Sequence, residues 1–170
     1  CLFDPFDRNV VYAEAQQGYI HRFHLGSGQV KNLRPEPAEG QPAFRFHWNS
    51  PLVGSRHEKG TMFLAGNRVF RVTEKGEKFT LISPDLSTRD LSKMTATGSG
   101  AENYGVVYAF SESPVTPGLL WAGTDDGKLW VTGDGGAAWT DLTGFLPAEA
   151  KGQWIACVEA GCHDGKVAYL

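Results

Sequence analysis

The feature that most constrains this chain is a phrase that returns about every fifty residues. It consists of a turn rich in Asp, Pro or Gly, a strand carrying an aromatic residue, a tight turn, a second strand, another turn and a last strand. The first copy is DPFDRN-VVYAEA-QQG-YIHRFHL-GSG-QVKNLRP, the second SRHEKG-TMFLAG-N-RVFRVT-EKGEKF-TLISP and the third SPVTPG-LLWAGT-DDG-KLWVTG-DGGAAW-TDLTG. A fourth opens with AGCHDG-KVAYL. Equivalent strands are expected to start at Val10, Thr61, Leu119 and Lys166, giving spacings of 51, 58 and 47 residues. Units of this length that hold four short strands are the signature of β-propeller blades. The innermost strand of each unit precedes the phrase, near residues 49–55, 104–111 and 154–160, and the first copy lacks most of its own. The expected fold is therefore all-β, a run of consecutive four-stranded blades at about 1–35, 44–84, 104–143 and 153–170. Three blades and the start of a fourth form an incomplete ring, because propellers close with ~4–8 blades. The remaining blades are expected elsewhere in a longer parent chain, or in another chain.

Charge and composition remove several functional classes. A net charge of -3, with no run of Lys or Arg, makes no electrostatic case for nucleic acid. No apolar stretch reaches the ~18–20 residues of a membrane-spanning helix. The three cysteines, Cys1, Cys157 and Cys162, lack the paired spacing of a zinc site, and nothing else points to a metal or cofactor. Cys157 and Cys162 either bridge across the turn at Gly161 or stand as separate thiols.

The turn after the third copy's third strand has a particular layout: Thr132, Asp134, Gly136 and Trp139. Asp134 is placed to accept amides inside the turn, Gly136 to take positive φ and Trp139 to fold back as a plug. The layout resembles the Asp-box of the bacterial neuraminidase repeat family, with Ala138 in place of the usual Thr. The second copy keeps a weaker version in Glu74, Gly76 and Phe79, and the first keeps only Gly28. The motif is expected to staple the outer strands of a blade.

Binding is expected at the opposite end of the hairpins. There the turns at Gln16, Gln17, Asn67, Asp125 and Asp126 share a face with the long linkers, which bring His47, Trp48 and Asp85. Asp125 and Asp126 are the weak catalytic candidates. A glycosidase needs two carboxylates ~5–9.5 Å apart across its substrate, and neighbours in one tight turn seldom face the same ligand. Pairing of Asp125 with Asp85 or Glu102 is open but unrequired by the spacing. Arg45, Arg68 and Arg89 read as scattered, with Arg68 a strand surface charge. No nucleophile–base arrangement, phosphate loop or metal spacing emerges.

The second unit carries a more specific likeness. FRFHWNSP, then GNRVFRVTEKGEKFTLISPDL, is similar to bacterial large repeat proteins of the sortilin-like propeller group, and departs from them at Glu74 and Phe79. The resemblance extends through SPVTPGLLWAGTDDG to VEAGCHDGKVAY. It implies a secreted or periplasmic propeller of a group often labelled glycosyl hydrolase. The function expected from it is a non-enzymatic module that scaffolds or binds protein within a larger extracytoplasmic protein. The alternative is a xyloglucanase-like glycoside hydrolase acting on a polysaccharide. Expected partners are a protein or the remaining blades, with a glycan as the other option.

Overall fold

A computed structural model describes residues 1–90, 92–94 and 103–170. The first sheet holds β1 (Leu2–Phe3), β2 (Val10–Ala15), β3 (Tyr19–His24) and β4 (Gln29–Leu33). The second holds β5 (Leu52–Gly54), β6 (Met62–Ala65), β7 (Val69–Thr73) and β8 (Lys78–Leu81). The third holds β9 (Val107–Glu112), β10 (Leu120–Thr124), β11 (Leu129–Thr132) and β12 (Thr140–Asp141). A two-stranded sheet follows, β13 (Glu159–Ala160) and β14 (Ala168–Tyr169). Every sheet is antiparallel and places its strands in chain order.

One turn is repeated four times and fixes the frame. Asp4, Ser55, Ser113 and Gly161 each donate a backbone N–H to a carbonyl six residues on, at Val10, Thr61, Leu119 and Val167. In three copies the side chain also accepts two amides: Asp4 from Phe6 and Asp7, Ser55 from His57 and Glu58, Ser113 from Val115 and Thr116. These are the local side-chain bonds that Asp and Ser offer a turning backbone. The frame places the fourth unit at Val167, one residue beyond the Lys166 expected from sequence, because Asp164 Oδ1 holds the Lys166 amide within the turn.

The cores lie between the sheets. Alternate residues of β6 face opposite ways: Met62 and Leu64 join Tyr12, Ile20 and Leu33 of the first sheet, while Phe63 and Ala65 join Val107, Phe110 and Leu120 of the third. β10 repeats the division, with Leu120 and Ala122 on one side and Trp121 on the other. A strand buried on both faces has no polar alternation, which is why TMFLAG and LLWAGT read as continuous apolar runs. The fold is all-β, the sheets stack as consecutive blades, and the described sheets do not close a ring. Among the described residues no helix is long and apolar enough to cross a membrane.

Candidate functional site

The β6–β7 and β10–β11 turns share a reciprocal clamp. Asn67 donates its amide to the Arg45 carbonyl at 2.8 Å, and its Oδ1 accepts the Arg45 amide at 2.9 Å. In the next blade Asp125 does the same with Val106: its amide donates at 3.0 Å and its Oδ1 accepts at 2.8 Å. The Gly105 amide adds a second donor to Asp125 Oδ1 at 3.0 Å. Each clamp ties a hairpin tip to the segment that enters the blade.

Beside the Asp125 clamp lies a cleft of about 430 Å³. Its walls are aromatic. The His47 ring meets Tyr108 at 5.0 Å and Trp154 at 5.9 Å, and Tyr108 meets Trp154 at 4.8 Å, all edge to face. Trp48 and Trp154 are 41% and 52% exposed, so both present ring surface to solvent. His47 is buried, and its Nδ1 accepts the Asn49 amide. Asn103 Nδ2 donates to the Phe46 carbonyl, pinning the third blade's entry loop against the second's. Burial, with the Asp126 carboxylate alongside, pushes the Asp125 carboxyl up to about 6 against the pull of its two amides.

The structure separates the two adjacent aspartates. Asp126 is buried and turned away from the cleft, where it accepts from Thr124 Oγ1 and from the amide and hydroxyl of Thr88. It ties the second blade's exit to the third blade's hairpin and leaves Asp125 alone in the cleft. Asp85 and Asn67 line a second pocket instead, of about 520 Å³. Asp85 is ion-paired with Arg45 at 3.1 Å and accepts from Asn67 Nδ2 and Ser87 Oγ. Burial alone would raise its carboxyl, but these donors hold it below the usual range. Arg45, Arg68 and Arg89, scattered by sequence, all line this pocket. Arg68 is thus part of a concave site rather than a lone strand charge. Gln16 and Gln17 form the β2–β3 turn, with Gln17 at φ 63, and line neither cavity. Glu102 lies outside the described residues.

The outer turns behave differently in the two copies. Thr132 Oγ1 donates to Asp134 Oδ1 at 2.7 Å, Asp134 Oδ1 accepts the Ala138 amide, and Gly136 sits at φ 103. The Trp139 indole reaches further than a staple within one blade, donating to the Ile82 carbonyl of the second blade's exit. Glu74 does not repeat the Asp134 bonds. It lies at φ 53 with its carboxylate towards Lys78, and the strand pairs Val72–Phe79 and Thr73–Lys78 close that turn. Gly76 keeps the role of Gly136, packing on Leu33 as Gly136 packs on Ile82. Phe79 packs on the core between the first two sheets. Cys157 and Cys162 are exposed free thiols.

Tyr104, Tyr108 and Trp154 were not marked by the sequence as site residues. Tyr108 had no readable signal: it falls at the irregularity in β9 where Thr124 pairs with Val107 and Gly123 with Ala109, so Val107 and Ala109 turn to different cores and simple alternation does not set its direction. Trp154 had none, since a linker residue's direction follows from the fold. Glu14 was also missed. It receives the Ser50 amide at 3.3 Å beneath the His47 loop, and burial pushes its carboxyl up to about 7.

A GH74 xyloglucanase from Xanthomonas campestris matches 98% of this chain with a TM-score of 0.60 and 18% identity. The chain spans 26% of that protein. The structure of U3-55K matches 93% of the chain with a TM-score of 0.53 and 10% identity, over 41% of its own length. The fold is that of β-propeller blades. At these identities the likeness speaks for fold and leaves the chemistry to the site. No protein-family model matches the chain, and no curated protein matches it.

Proposed function

We propose that this chain is a non-enzymatic part of a β-propeller that binds a protein partner, within a larger extracytoplasmic protein. The binding surface is the face bearing Trp48, Tyr108, Asp125 and Trp154. The observation that carries the non-enzymatic reading is the clamp. Asp125, the one carboxylate among the cleft's described lining residues, holds its blade together as Asn67 holds the preceding one. Its position is accounted for without chemistry, and no second carboxylate faces it there among the described residues. Exposed Trp and half-buried Tyr beside arginines have the composition of a protein-binding hot spot. The extracytoplasmic placement rests on the resemblance of the second unit to sortilin-like repeat proteins.

The test uses the protein as bait against its native extract. Wild type and Asp125→Asn should recover the same partner, and Trp48→Ala/Trp154→Ala should lose it. Recovery unaffected by removing both tryptophans would overturn the reading, and fractionation with cytoplasmic markers would remove the placement.

The second reading is a glycoside hydrolase of the xyloglucanase type. Its support is a carboxyl raised to about 6 in an aromatic cleft, a suitable state for a general acid beside sugar-stacking rings. It requires release of reducing ends from xyloglucan that disappears in Asp125→Asn.

A further inference from the structure

We infer that the pocket formed by Arg45, Arg68 and Arg89 receives a carboxylate side chain flanked by apolar residues, an acidic segment of the protein partner. The inference rests on the protein-binding reading and deepens it. Three separate loops supply the arginines, one before β5, one at the β6–β7 turn and one after β8. Arg45 is neutralised by Asp85 at 3.1 Å. Arg68 and Arg89 have no carboxylate within ion-pair distance among the described residues, which leave two of the pocket's positive charges uncompensated.

Several cations elsewhere are answered by a carboxylate: Arg22 and Lys31 share Glu77, Arg71 pairs with Glu58, and Lys128 pairs with Asp141. The guanidinium fork matches a carboxylate in two-point geometry. Phe44, Leu81 and Met94 complete the walls, so an acidic residue next to an aliphatic one fits better than a bare inorganic anion. Arg89 stands at φ 57, an uncommon conformation for a residue with a side chain, and its amide is held by Ser87 Oγ. The pocket neighbours the aromatic cleft: Arg45 and His47 are two residues apart, and Arg45 Nη2 donates to the Gly105 carbonyl behind the Asp125 clamp.

The test is fluorescence anisotropy with two labelled, amidated heptapeptides, one alternating glutamate with leucine and the other glutamine with leucine. The wild type should bind the glutamate peptide at least ten-fold more tightly. Arg68→Gln/Arg89→Gln should erase that preference without altering thermal unfolding, and Arg68→Lys/Arg89→Lys should retain part of it. Equal binding of the two peptides, or a preference that survives in the glutamine variant, would overturn the inference. Displacement by inorganic phosphate as effective as by unlabelled peptide would reduce the pocket to an adventitious anion site and overturn it too. If wild type ignores the glutamate peptide while Trp48→Ala/Trp154→Ala still loses its partner, the acidic-segment inference falls and the protein-binding reading stands.

Discussion

The indole N–H of Trp139 donates to the carbonyl of Ile82 at 2.8 Å, so the outer turn of the third blade grips the chain leaving the second. Trp130 makes a parallel bond, its indole donating to Leu86 at 2.7 Å. Two indoles from one blade therefore fasten the exit segment of its predecessor. Trp139→Phe keeps a ring in the interface but strands the Ile82 carbonyl. The expected cost is about 1 kcal/mol, a fall of roughly 2–4 °C in Tm for a chain of this size. Thermal unfolding with unchanged partner binding would bear this out.

Gly136 packs against the same carbonyl. A Cβ there would stand 2.4 Å from Ile82 O, at a backbone φ of 103. Gly136→Ala is expected to cost about 1–3 kcal/mol through strain and contact together. Gly133, with nothing within 4 Å of its Cβ direction, is the control, and Gly133→Ala should unfold near wild type.

Asp134 is held below the usual carboxylate range by the Ala138 amide first and the Thr132 hydroxyl next. A lowered folded pKa contributes stability above the unfolded value, near 4, and loses it as pH falls through the folded value. Asp134→Ala should therefore lower Tm at neutral pH, and the gap should close on acidification below about pH 4. Ligand affinity should not move. A gap that persists undiminished at pH 2 would show that the turn does not depend on the charge.

Asp125 and Glu14 have the opposite sign. Burial raises their folded pKa values to about 6 and about 7, so their contributions are full below pH ~4 and fade as pH rises through those values. Asp125→Asn keeps an oxygen for the Gly105 and Val106 amides, as Asn67 does for Arg45. It should stabilise the protein at pH 7.5 by about 1 kcal/mol, the cost of ionising the buried carboxyl discounted for solvent screening. Glu14→Gln should flatten the stability profile between about pH 4.5 and 7. A carboxyl-carbon NMR titration of Asp125 with its midpoint near 4 would contradict both the cause and the gain.

The phenol of Tyr12 donates to Asp4 Oδ2 at 2.7 Å, with both residues buried. Tyr12→Phe removes the donor and leaves the carboxylate short of a partner, costing about 1–2 kcal/mol. Chemical denaturation should show a lower midpoint at unchanged slope, since the sheet order does not depend on the bond.

What the sequence made legible was whatever it encodes within a few residues. The Asp126–Gly127 hairpin was readable because its turn needs a residue at positive φ, and Gly127 sits at 85°. Thr132, Asp134 and Trp139 were readable because their bonds lie mostly inside one turn. The reach of Trp139 to Ile82 was not, because it crosses 57 residues of chain. The arginine pocket was hidden for the same reason. Its three charges come from different loops, and spacing along a chain says nothing about loops that meet only after sheets have stacked. Asp125 and Asp126 show the other limit, since the pattern that put them in one turn could not tell which would meet Thr88.

Each sheet draws its strands from a contiguous stretch of chain, and among the described residues no strand is lent to a neighbouring sheet. Adjacent sheets are sewn together by a few seam contacts instead, such as the Val107 amide on the Gly66 carbonyl and the Ile155 amide on the Thr124 carbonyl. A whole unit can thus be duplicated or excised without breaking any ladder, provided the new junction restores its seam. Growth by such steps leaves hairpin tips free to diverge singly, and Asn67 in one blade beside Asp125 in the next is that divergence at a single position.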